Sequence, residues 1–367
     1  MLNWIRRVSP GFVLLLGIGL GGQAASGQTP AGGWAFTSLP QADLWFHGMA
    51  LVDPVGPGPN PLYDPAYPSE VRSAKMARGV ATTALDNRLG YFRGAFQRDP
   101  AFELLHFLPL YFPQAGRVEF FSALKLLAAT AEGIPRAPST HTAFGLAAAG
   151  SVLTTPSQRT LLGEFVSALE EEWTAFFQDF WREGEDARTQ ILASLQESWR
   201  ASYLPALTPF LVETGMSGGL IALVPAVGIE GRIFAGSPQN NADNILVLAA
   251  PTSPDRGREA VYSMLRELSF PSVRRVMERT GNETGNRTEG ERLASNAAIR
   301  SGAILLERYQ PEDLSDYQEF FLSQAGRSAP AGAAVDALFR ELFPLDQAFE
   351  TALREEILSA KTDGGVG

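Results

Sequence analysis

AAPTSPDRGREAVYSMLRELSFPSV, residues 249–273, carries the change of hydrophobic period on which the fold turns. The run that leads into it, Ile245-Leu246-Val247-Leu248, is short, unbroken and apolar, as a buried strand is, and it stops in a turn of Pro, Ser and Asp. An amphipathic helix then begins, with Val261, Leu265 and Leu268 at four- and three-residue steps and Arg266-Glu267-Leu268-Ser269-Phe270 toward its end. Working backward, Leu220 to Val224 and Gly228 to Phe234 read as two further strands, and Gly236 to Asn244 as a loop. Three strand candidates therefore precede one helix.

The rest of the chain reads mainly as helix. Residues 34–53 contain strand-like apolar pieces around Leu44, Phe46 and Leu51-Val52, and Pro54 to Pro68 is a Pro/Gly-rich surface loop bearing Tyr63 and Tyr67. Helical patterns are expected over Glu70 to Leu89 and Phe120 to Ala131, and Ala95 to Leu110 reads as a second helix or an apolar turn of the core, with Asp99 as N-cap and Pro100 at the first position. Residues 137–156, rich in Ala, Gly, Ser and Thr, are expected to be a variable connection, after which Ser157 caps a long amphipathic helix from Leu161 to Phe180. The Glu170-Glu171-Glu172 run on that helix reads as a solvated face, because consecutive carboxylates point in different directions. Gly184 breaks the pattern, a second helix runs through Trp199, and Pro205 and Pro209 are expected to close it. Beyond Val273 a polar Gly/Asn/Thr loop leads to helices over Glu291 to Tyr309, Pro311 to Gln324, Ala334 to Phe343 and Leu345 to Lys361. The fold class expected is α+β, predominantly helical, with a small mixed sheet placed before the helix that carries Arg266 to Phe270. The regions expected are 28–214, mostly helical, and 215–361, sheet then helices, with a disordered tail at 362–367.

Composition narrows the function. With 367 residues, 45% hydrophobic and 19% charged, the chain can bury a sizeable core. A net charge of −10 argues against nucleic acid or an anionic membrane surface as partner. The absence of cysteine excludes disulfides, thiol nucleophiles and thiolate metal ligands. Three histidines, His47, His106 and His141, are scattered without chelating spacing, and His47 and His106 sit in apolar surroundings that suit core residues. Residues 1–27 have the form of a signal peptide: Arg6-Arg7, an apolar stretch from Gly11 to Leu20, and small residues at Ala25-Ser26-Gly27. The mature chain is expected outside the cytoplasm, periplasmic or secreted and with no stable membrane span; an uncleaved N-terminal anchor is the alternative. No G-x-S-x-G, no G-x-x-x-x-G-K-[ST] and no G-x-G-x-x-G following a strand is present.

The order strand, turn, helix with R-E-L-S-F, polar loop, second helix is similar to the gluzincin type of metallopeptidase. It resembles most a bacterial group of zincin-like proteins whose motif reads roughly H-E-F-S-H, over about residues 215–310. That resemblance implies a metal-binding helix with histidines where Arg266 and Phe270 stand, a base at Glu267, and a third carboxylate ligand where Asn296 stands. Every ligand position departs from the pattern. A guanidinium repels a dication and a phenyl ring cannot ligate it, so no metal and no cofactor are expected, and Glu267 has no metal-bound water to activate. Glu267 is expected instead to pair with Arg266 or Arg300, and Phe270 to fill the vacated space.

The function this implies is non-catalytic: a secreted zincin-like binding or scaffold protein, its partner a protein, peptide or small molecule in a cleft flanked by the edge strand and the Pro/Tyr loop. Two alternatives stand beside it. One is an extracytoplasmic hydrolase or peptidase with a non-standard site, Glu267 joined by His47 or His106. The other is that R-E-L-S-F is simply an amphipathic core helix in a structural protein.

Overall fold

The computed structural model describes residues 33–56, 61–236, 244–282, 287–328 and 334–359; the expected signal peptide at 1–27 and the tail at 362–367 lie outside them. The sheet is assembled from distant pieces. Strands β1 (Trp34–Thr37), β2 (Gly219–Val224), β3 (Arg232–Phe234) and β4 (Ile245–Ala249) lie in the order β1-β2-β4-β3. β2 runs parallel to both β1 and β4, with Trp34 opposite Gly219 and Leu220 opposite Ile245. β3 returns antiparallel along β4, with Arg232 opposite Val247. The sheet is thus small and mixed, and it draws one strand from the region 28–214 and three from the region 215–361.

Both faces of the sheet are covered by helices, which is why β4 is an unbroken apolar run rather than an alternating one. Ala222, Val224, Ile245 and Val247 face the first layer, while Ile221, Leu223, Leu246 and Leu248 face the second. The first layer holds α1 (Pro40–Val52), α2 (Tyr67–Ala77), α3 (Ala84–Arg98), α4 (Arg117–Ala129), α5 (Thr140–Val152) and α6 (Pro156–Glu172). From α6 the chain passes through a π-turn, Trp173–Phe177, into α7 (Gln178–Glu183). The second layer begins with α8 (Glu185–Ser198), a second π-turn at Trp199–Tyr203, and α9 (Leu204–Glu213). After the sheet it is completed by α10 (Gly257–Leu268), α11 (Phe270–Thr280), α12 (Arg287–Tyr309), α13 (Leu314–Gln324), α14 (Ala334–Leu342) and α15 (Gln347–Leu358). The fold is α+β and predominantly helical. Among the described residues no helix is long and apolar enough to cross a membrane.

Several local expectations change. Residues 40–52 form a helix, not strands: every residue from Gln41 to Val52 is buried, and a helix that is apolar on all sides has the composition of a buried strand. Residues 137–156 are not a loose connection, because Thr140–Val152 is helical. Its small residues are there for close packing: a Cβ at Gly145 would run into the Phe112 ring, and one at Gly150 would press on Ile134. Asp99 does cap the segment after Pro100, but that segment is a 3₁₀ helix (Pro100–His106). The cap of α6 is Thr155, which forms a reciprocal capping box with Gln158, rather than Ser157. Pro205 and Pro209 do not close the second helix; the π-turn ahead of them lets the helical course continue to Glu213.

Candidate functional site

The segment Arg266-Glu267-Leu268-Ser269-Phe270 spans a break. α10 ends at Leu268 and α11 starts at Phe270, because Pro271 has no N–H to continue the first helix's ladder. Buried Ser269 covers the join, its hydroxyl donating to the Leu265 carbonyl at 2.7 Å. Arg266 and Phe270 therefore belong to different helices, yet the guanidinium still lies over the phenyl ring at 5.2 Å from its centroid.

Around that guanidinium the structure gathers three polar side chains. Arg266 donates to Glu267, its neighbour in sequence, and its Nη2 reaches Glu230 Oε1 at 2.9 Å and Ser295 Oγ at 3.1 Å. Glu230, just ahead of β3, also meets Arg232 Nη1 at 3.4 Å. Arg266 is 3% exposed and Glu267 2%, so both side chains are shut off from solvent. Burial pushes the Glu267 carboxyl up, and the charges of Arg266 and Arg232 oppose that. Glu267 thus takes Arg266 as its partner and not Arg300, whose guanidinium goes to Glu350 instead. Asn296 turns away, its amide donating to the Pro344 carbonyl at 3.3 Å, and Ser295 is the residue of α12 that faces Arg266.

Neither buried histidine joins Glu267. Both are bound elsewhere, by matching Tyr–His–carboxylate chains. His47 on α1 lies with Nδ1 2.9 Å from the Tyr67 hydroxyl and Nε2 3.1 Å from Glu172. Burial opposes the Glu172 charge, but hydrogen bonds from His47 and Lys75 outweigh it and hold the carboxyl below its usual range. An ionised carboxylate only accepts, so His47 carries its proton on Nε2 and accepts from the Tyr67 hydroxyl at Nδ1. Burial pushes the His47 pKa down, in keeping with a neutral ring. His106 repeats the pattern, with Nδ1 2.7 Å from the Tyr63 hydroxyl and Nε2 3.5 Å from Asp53. The two tyrosines of the Pro/Tyr loop therefore line no open cleft: Tyr63 and Tyr67 are buried, and Tyr63 also bridges to Val227. His141 lies on the surface, 3.8 Å from Glu119.

Glu172 contradicts its expected place on a solvated face. It is fully buried and ion-pairs with Lys75 at 2.8 Å; Lys75 also meets Asp86 at 2.7 Å, and Thr83 donates to Glu172. Its neighbours do point elsewhere, Glu170 to Lys125 and Glu171 to the Ala84 N–H. A sequence signal marks the spot. L-x-E-x-W-x-A-x-[F/Y] occurs at 169–177 and again at 195–203, and both copies hold a π-turn that starts at their Trp. The second copy places Tyr203 to donate to buried Asp313.

Among the described residues, no group of three or more His, Asp or Glu is arranged to hold a metal ion. No protein-family model matches the chain, and no match was found among curated proteins or solved structures.

Proposed function

We propose that the chain is an extracytoplasmic, non-catalytic protein of zincin-like design that acts by binding a protein, peptide or small molecule. The observation that carries this reading is the Arg266 guanidinium clamped between Glu267 and Glu230, where the resembled enzymes would hold a metal and its water. A dication placed there would meet a fixed positive charge, and Glu267, paired and enclosed, is not available as a base. The order of elements agrees with the reading: a mixed sheet ends in β4, α10 follows, and α12 supplies the next contact through Ser295. β3, the edge strand of the sheet next to Glu230, is the side on which the reading seats the partner.

The test is the metal content of the purified chain after dialysis, together with hydrolysis of a broad peptide mixture by the wild type and by Glu267→Gln. The expected result is zinc far below one per chain and no hydrolysis by either protein. Stoichiometric zinc, or a peptidase activity that Glu267→Gln abolishes, would overturn the proposal.

A further inference from the structure

A cavity of about 250 Å³ lies in the second helical layer, between α12, α13, α14 and α15. Three arginines line it: Arg300 from α12, Arg340 from α14 and Arg354 from α15. Arg300 is the unusual one, a guanidinium 4% exposed. Burial lowers its pKa, and Arg340 and Arg354 are close enough to press it down further while Glu350 opposes them.

Carboxylates balance these charges. Glu350 Oε1 accepts from Arg300 and, at 3.0 Å, from Arg340; Asp336 accepts from Arg340 Nε at 2.7 Å; Glu307 lies 2.9 Å from Arg354. Formal charge is thus zero across the six side chains, but hydrogen-bonding capacity is not balanced. Each guanidinium offers five N–H donors in a planar fork. Among the described residues no acceptor meets Nη2 of Arg340, Nε of Arg300, or the Nε and Nη2 edge of Arg354, whose Nη1 alone reaches Glu307. Ile304, Leu314 and Phe339 supply an apolar part of the same wall.

We infer that this cavity binds a small organic monocarboxylate whose carboxylate docks on the arginine forks and whose body lies on the Ile304, Leu314 and Phe339 side. Surplus donors favour a planar acceptor that can be held by two parallel N–H bonds. The zero formal charge of the wall disfavours phosphate, whose second negative charge would face Glu307, Asp336 and Glu350. A cation finds no unpaired carboxylate. The volume equals about eight waters of bulk liquid, which suits a compact acid such as phenylacetate rather than a fatty acid.

Calorimetric titration of the purified full chain with phenylacetate, phenethylamine and inorganic phosphate tests this. Phenylacetate is expected to bind at millimolar concentration or below, with no heat from the other two. Arg354→Gln, a change at a partly exposed side chain that leaves Arg300 in place, is expected to weaken phenylacetate about tenfold, as loss of one charge-assisted hydrogen bond would. Arg274→Gln, on α11 and away from the cavity, is expected to bind as the wild type does. No heat with phenylacetate, equal or tighter binding of phosphate or the amine, or undiminished binding by Arg354→Gln would each overturn the assignment.

Discussion

Glu172 fixes the tautomer of His47. The carboxylate lies 3.1 Å from Nε2 and can only accept, so the ring's other nitrogen is left to take the Tyr67 hydroxyl. One buried acid on α6 thereby orders a histidine on α1 and, through it, a tyrosine at the start of α2.

Glu172→Gln should test how much that arrangement contributes. The amide cannot balance Lys75, which would keep only the part-exposed Asp86. Removing one member of a buried ion pair costs about 3 to 5 kcal/mol, and partial rescue by Asp86 places this variant at the lower end. A urea midpoint within experimental error of the wild type would show the cluster to be energetically silent.

Acidification should weaken the fold in a defined window. Burial holds both His47 and His106 below 6.5, so under that pH the unfolded chain binds protons that the folded chain does not. Stability falls as pH drops from about 6.5, and Glu172, held below the ordinary glutamate value of 4.5, adds a further loss beneath that pH. Asp43 acts with the opposite sign. Burial pushes it up to about 6, against hydrogen bonds from Trp181 and Ser38, so it favours the fold as pH falls from 6 toward 3.8. Asp43→Asn should therefore raise stability at pH 7 by about 1 to 3 kcal/mol and steepen the loss between pH 6 and 4. Urea melts across that range measure both, and a variant less stable at pH 7 would refute the sign.

Gly145→Ala should cost about 1 to 3 kcal/mol, since the new methyl must displace the buried Phe112 ring. Gly94→Ala, at a helical position where an added methyl would meet only open space, should be neutral or stabilising. Equal melting temperatures for the two would contradict the close packing of α5.

Arg266→Met should be severe, about 3 to 5 kcal/mol, because it leaves Glu230 and Glu267 buried together without their shared cation. Adding Glu230→Gln and Glu267→Gln should recover most of that loss. If the triple variant were no better than the single one, packing of Arg266 on Phe270 would be the larger contribution.

The sequence is most readable where period and chemistry agree. Ile245 to Leu248 followed by Val261, Leu265 and Leu268 gives strand then helix without ambiguity, and the departures at Arg266 and Phe270 forecast a paired Glu267. It is least readable where residues are buried on every side or small. Residues 41–52 lose helical periodicity because no face meets water, and Gly145 looks like a linker residue until Phe112 is beside it. Glu172 defeats local reasoning for another reason: its partners Lys75 and His47 lie far away in the chain, and three successive glutamates give no hint which one turns inward. The R-E-L-S-F segment misleads more mildly, for Pro271 is visible in the sequence and marks the helix break that separates Arg266 from Phe270.

The pairing of β1 with β2 sets a timetable for synthesis. Trp34 emerges early, but its partner Gly219 follows only after all of α1 to α9. At ordinary translation speeds that interval is on the order of ten seconds or more. During it Trp34 and Phe36, destined for the core, have no sheet to enter, and the first helical layer must form without its floor. A nascent chain of this design stays adhesive throughout that interval, so chaperone occupancy should centre on the segment around β1 and end abruptly once β2 has been delivered.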